Sequence, residues 1–228
     1  MLHNMESTLK AAIALGKANR PSDDHVSFKG AHLEGANLFI AHLYGADLEG
    51  ANLRSARLQY ANLEGANLRS ARLQYANLNY ADLNYANLRG ANLRGANLYR
   101  ANLNYADLRG ANLYRANLYR ANLEHADLRG ADLCNAKLEY ANLRGAKIGG
   151  AKIVGAKGVA VALVGDFFVL AYVNENKIRV QAGCRNMEIN DFRDYVRNAE
   201  KHVGIRGVAL AYFGAFEMQL NYLIRSAK

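Results

Sequence analysis

From residue 31 to residue 156, alanine occupies every fifth position without a break. Two residues after each alanine comes a leucine, from Leu33 to Leu143, followed by Ile148 and Ile153. Val26 and Phe28 fill the same roles one unit earlier, so residues 26–155 form 26 consecutive units of five with no insertion. A period of five suits neither regular element, because an α-helix returns to one face after three or four residues and a strand after two. Within a unit the apolar first and third positions alternate as in a strand. At each unit boundary the alternation breaks, and there the chain must turn. Asn or Asp between the apolar positions fits this reading, since such side chains hydrogen-bond nearby backbone and favour tight turns. The pattern predicts short extended pieces joined by turns and wound into a solenoid.

Units such as ADLEG, ANLRG and ADLRG resemble the A(D/N)LXX repeat of pentapeptide repeat proteins, over more than half of the chain. The resemblance implies a mainly β fold, a right-handed quadrilateral β-helix in which four units make one square coil. It places the alanine and leucine inside and the other three residues outside. At about 4.8 Å per coil the repeats would make a rod of roughly 31 Å.

With four units per coil, equivalent positions recur every twenty residues and the outward side chains form columns. The first face carries Arg69, Arg89, Arg109 and Arg129 at the position after leucine. Spaced by one coil, these guanidiniums repel unless solvated or paired, and they are a candidate anion stripe for phosphates or carboxylates. The third face interleaves Tyr60, Tyr80, Tyr99, Arg100, Tyr119 and Arg120, a candidate surface for stacking bases or anchoring a protein. The competing reading of both columns is a solvated surface, with tyrosines covering the apolar coil edges. One ten-residue block, ANLRSARLQY, occurs twice, at Ala51–Tyr60 and Ala66–Tyr75. Its copies lie fifteen residues apart, three-quarters of a coil, so they fall on different faces.

The ends have another texture. Met5–Ala18 predicts a short helix before Pro21, giving an N-terminal helical cap over residues 1–25, ahead of the β-helix at 26–157. Residues 158–228 read as an α+β region that caps the rod or makes a homodimer. Strands are expected first, with a hairpin turn at Asn174–Asn176. An amphipathic helix follows, starting near Asn186 or Asn190, and a second helix spans Ile205–Ala227. Leu210, Phe213, Leu220 and Ile224 on that last helix are the candidate cap or dimer contacts. This region resembles a strand-plus-helix segment that follows the repeats in many bacterial and phage pentapeptide repeat proteins.

Composition narrows the function. Only two cysteines occur, Cys134 and Cys184, and Glu6, Lys10 and Lys17 interrupt the first twenty residues. A reducing, cytoplasmic setting without a signal peptide or membrane span is the expectation. No Ser/His/Asp arrangement, phosphate loop or metal-ligand spacing is present, so no enzyme, cofactor or metal is expected. His125 beside Glu124 is the nearest acid–base pair, and its place on a turn argues for structure. Ice binding would want threonine rows, and the repeats contain no threonine.

The formal charge of +9 suggests acidic partners. The reading that results is a non-enzymatic scaffold presenting Arg and Tyr columns to a protein partner, with nucleic-acid binding along the arginine face as the alternative. The resemblance also implies DNA mimicry directed at DNA gyrase, which depends on an acidic rod. Residues 26–155 hold 16 Lys and Arg against 10 Asp and Glu, a net of +6. The sign is wrong for mimicry.

Overall fold

In the computed structural model, residues 27–164, 167–174, 177–182 and 185–188 are described, with side chains over 27–158. The second residue of every unit pairs in parallel with the residue twenty places on, from Ser27 with Asp47 through to Lys137 with Lys157. Four units therefore make one coil, and the column assignments follow directly.

The five backbone N–H groups of a unit each have a defined destination. In the unit Ala86–Gly90, the alanine N–H closes a turn on the carbonyl of Leu83 at 3.0 Å. The N–H of Asn87 donates to Ala66 of the preceding coil at 2.9 Å. Those of Leu88 and Gly90 donate forward, to Asp107 at 2.7 Å and Arg109 at 2.9 Å. The remaining N–H, that of Arg89, donates to the Oδ1 of Asn87 at 3.2 Å. The Asn or Asp at position two is thus the acceptor that completes the unit, consistent with the near-obligatory pairing of backbone polar groups. Where Arg57 and Arg72 replace it, the N–H groups of Gln59 and Gln74 have no such acceptor.

Inside the rod, alanines and leucines stack in columns. From Ala41 to Ala146 every one of them is at most 2% exposed, and no polar residue is buried among the described residues. Two sizes of side chain therefore fill the interior, as a solenoid of identical coils requires.

The coil ends where Gly158 stands in place of the next leucine. Its φ is +82°, and a Cβ there would lie 2.4 Å from the backbone N of Glu139. Only glycine fits such a close approach in the left-handed region. Beyond it lie β1 (Val159–Val164), β2 (Phe167–Asn174), β3 (Lys177–Ala182) and β4 (Arg185–Glu188). They form an antiparallel sheet in the order β1-β2-β3-β4.

Asn174 pairs with Lys177, so the β2–β3 connection falls within the stretch where the hairpin turn was expected. Asn186 lies inside β4 opposite Gln181, and does not open a helix. Strand pairing takes that residue before any helix can start. The expected N-terminal cap, the two C-terminal helices and Leu210, Phe213, Leu220 and Ile224 lie outside the described residues. No described helix is long and apolar enough to cross a membrane.

Leu83→Ala should destabilise the rod by about 2–5 kcal/mol, because the rigid coils above and below limit collapse of the cavity. Urea denaturation measures it; a loss below about 1 kcal/mol would mean that the interior is loosely packed.

Candidate binding surfaces

Each corner of the coil is a turn running from leucine through two outward residues to the next alanine. The second outward residue, position five of the unit, has φ between 54° and 71° throughout the repeats. That is the left-handed region, where a residue other than glycine is disfavoured by about 1–2 kcal/mol. The faces treat this position differently. On the first face it is glycine in every coil except at Ser70. On the third face it is never glycine: Ile40, Tyr60, Tyr80, Arg100, Arg120 and Tyr140 occupy it. Six bulky side chains sit there at the least favourable backbone conformation.

Five of these side chains, all but Ile40, form with Phe39, Tyr99 and Tyr119 at position four a continuous ladder along the third face. Phe39 meets Tyr60 edge-on at 5.9 Å, and Tyr60 stacks on Tyr80 at 5.0 Å with planes 3° apart. Tyr80 meets Tyr99 edge-on at 5.4 Å, and Tyr99 stacks on Tyr119 at 5.9 Å. Tyr119 meets Tyr140 at 5.4 Å. Arg100 lies over the rings of Tyr80 and Tyr99, and Arg120 over those of Tyr119 and Tyr140, at 5.5–5.8 Å. Cation–π contacts hold both guanidiniums, and neither forms an ion pair among the described residues. The stacking runs along the rod, so many ring faces are covered by neighbours and rings project edges and hydroxyls outward.

Two further clusters lie in columns that the twenty-residue period already defines but that were not singled out as candidate sites. Tyr85, Tyr105 and His125 stack on the fourth face at 5.1 and 4.8 Å. Arg94 and Arg115 lie over the ring of Tyr114 on the second face, at 5.4 and 5.1 Å. The period of twenty already aligns Tyr85, Tyr105 and His125, and Arg94 with Tyr114; only the contact of Arg115 with Tyr114 needs the corner to be read as well.

The four arginines of the first face share one column, and their charges are not equivalent. Arg109 donates from Nε to Asp107 at 2.8 Å, and Arg129 to Asp127 at 2.9 Å. At the same positions beside Arg69 and Arg89 stand Asn67 and Asn87, which accept only the backbone N–H. The stripe is therefore half neutralised, leaving Arg69 and Arg89 without a carboxylate among the described residues. The sequence carried this signal as DLR against NLR. The hydrogen bonds from Arg109 and Arg129 hold the carboxyls of Asp107 and Asp127 below the usual carboxylate range.

The described residues contain no group of His, Cys, Asp and Glu able to hold a metal. The thiol of Cys134 donates to Asp132, which, with burial, pushes its pKa up and away from a reactive thiolate. Glu124 accepts from Arg144 at 2.7 Å and His125 lies 3.7 Å from it, so this acid is engaged in an ion pair. The arginine stripe and the tyrosine ladder lie on the first and third of four faces, so one small partner cannot touch both.

A family model for pentapeptide repeats matches residues 24–54, 46–84, 76–115 and 116–153 in eight copies. With that match, the coil is a right-handed β-helix solenoid. Among solved structures, HetL, a pentapeptide repeat protein involved in heterocyst differentiation regulation from the cyanobacterium Nostoc sp., is 40% identical. The alignment covers 59% of this chain and 69% of that one, with a TM-score of 0.28. Rfr23, from the cyanobacterium Cyanothece, is 27% identical over 66% of this chain and 97% of its own, at a TM-score of 0.25. QnrB1, a plasmid-mediated fluoroquinolone resistance protein, is 21% identical over 58% and 72%, at 0.33. No curated protein matches the chain significantly.

Acid should weaken the last coils through Asp107 and Asp127. Their folded pKa values lie below the unfolded one, so the stability they contribute is complete above about pH 4 and is lost as pH falls through the lowered values. The effect is modest because both pairs are partly exposed to solvent. The Asp107→Asn/Asp127→Asn variant keeps the backbone acceptors and removes the charge. Its urea midpoint should fall less steeply than the wild type's below about pH 4; parallel profiles would contradict the assignment.

Proposed function

The chain belongs to the pentapeptide repeat family, and on that premise we propose that it is a non-enzymatic scaffold binding a protein partner through its third face. The observation that carries this reading is the occupancy of position five. The same corner is glycine or serine down the whole first face, and six bulky side chains down the third. Holding bulky side chains in a strained conformation is a recurring mark of function. Tyrosine and arginine are also the residues most enriched at protein-binding hot spots.

Nucleic acid fits this face less well. Base stacking needs open ring faces, and here Tyr60, Tyr80, Tyr99 and Tyr119 lie against one another. The first face offers a phosphate backbone only a short run of free charge, because Asp107 and Asp127 engage the rest. Gyrase-directed DNA mimicry would need an acidic rod, against the net of +6 on residues 26–155.

A photo-crosslinking amino acid in place of Tyr60 or Tyr80, in cells of the native host, should give a discrete protein adduct. The same substitution at Gly130, on the first face beside the paired Arg129, should give none. Equal labelling from both faces, or none from the third, would sink the reading. A gel shift with DNA and RNA at two salt concentrations addresses the alternative, which predicts binding that falls steeply with salt.

Stability should respond little to the ladder. Tyr60→Gly loses ring contacts of about 0.5–1.5 kcal/mol each and regains a comparable amount from relaxed φ. A net change near zero is expected in urea denaturation. A loss of several kcal/mol would make the ladder a structural staple.

A further inference from the structure

The duplicated block carries the sequence Arg-Ser-Ala-Arg twice, at Arg54–Arg57 and Arg69–Arg72, each around a corner of the coil. The first copy has an acidic neighbour, since Arg54 lies 3.8 Å from Glu34. In the second, Arg69 and Arg72 form no ion pair among the described residues, and neither does Arg89, one coil beyond Arg69. All three are exposed. Along the column this run is closed at both ends: Glu49 pairs with Lys29 on one side, and Asp107 with Arg109 on the other.

Ser70 is a second and independent observation. It is the one side chain at position five of the first face, where the other coils have glycine, and its φ is 56°. Its Oγ lies 3.8 Å from where a Cβ on Gly90 would be, so the hydroxyl reaches toward the coil that carries Arg89. Glycine at position 90 leaves that hydroxyl uncovered.

We propose that the corner formed by Arg69, Ser70, Arg72 and Arg89 binds a single phosphoryl group carried by a phosphorylated protein. Guanidiniums match phosphate oxygens with paired N–H donors, and the serine hydroxyl adds a further donor. The shortness of the run selects one phosphate over a strand. A nucleic-acid strand carries a charge about every 3.4 Å along a duplex, and its next phosphates would meet Glu49 and Asp107. The corner faces away from the tyrosine ladder, and its assignment does not depend on the role given to that ladder.

The test is an NMR titration of the full chain with N-acetyl-phosphoserine amide, with N-acetyl-serine amide as the control. Saturating shifts are expected at Arg69, Ser70, Arg72 and Arg89 with the phosphorylated probe only. The Arg69→Gln/Arg89→Gln variant should weaken binding by about tenfold or more, and Ser70→Gly by about threefold. Arg129→Gln, which removes an already paired guanidinium, should change nothing. Ser70→Gly relaxes a strained residue, so its loss of binding cannot be ascribed to misfolding. Absence of saturating shifts, or shifts spread equally over Arg54, Arg94 and Arg100, would overturn the proposal. So would tighter binding of a single-stranded oligonucleotide at the same corner.

Discussion

The structure depends on the coil-to-coil hydrogen bonds, which recur in every unit of five and join residues 19 or 21 apart, so that paired residues lie twenty apart. Each coil uses three N–H groups per unit on its neighbours, one to the coil before and two to the coil after. The fourth closes the turn, and in most units an Asn or Asp side chain accepts the fifth. An insertion of one residue would shift every later partner and point alanines and leucines outward, so the absence of any insertion over 26 units has a physical reason. It also explains why alanine and leucine alone fill the fully buried interior from Ala31 to Ala146: identical coils at a fixed spacing leave identical holes.

With backbone and interior assigned to positions one to three, positions four and five are free to vary. They vary by face. The first face keeps glycine at its corners and balances charge, except around Arg69 and Arg89. The third gives up glycine entirely and builds a ladder of rings and guanidiniums. Because coils stack at about 4.8 Å, near the spacing at which aromatic rings interact, the rod turns a sequence period of twenty into ring stacking. The same rigidity keeps the first and third faces apart, so the chain carries two separate surfaces.

Much of this was legible in the sequence. The five-residue period, the inward alanine and leucine and the twenty-residue columns are matters of counting, and the pairing of Ser27 with Asp47 through Lys137 with Lys157 follows them. What counting by column hid was the neighbour within a unit. Arg109 and Arg129 look identical to Arg69 and Arg89 until the residue two places earlier is compared. Contacts around corners, such as Arg115 with Tyr114, were hidden because a column runs along the rod and a corner joins two faces. Asn186 was misjudged because a helix-capping residue type also sits comfortably in a short strand when its neighbour β3 supplies the pairing.

The central claim is that position two completes the backbone, leaving the outer positions to function. Native-state hydrogen exchange tests it residue by residue, because position four has its acceptor in some units and lacks it in others. The amides of Arg89, Tyr99 and Tyr119, each donating to the Asn two places before it, should exchange slowly. Those of Gln59 and Gln74, which follow Arg57 and Arg72, should exchange far faster, although they hold the same position in the unit. Equal protection at all five would contradict the account, because the Asn side chain would then not be what completes the coil.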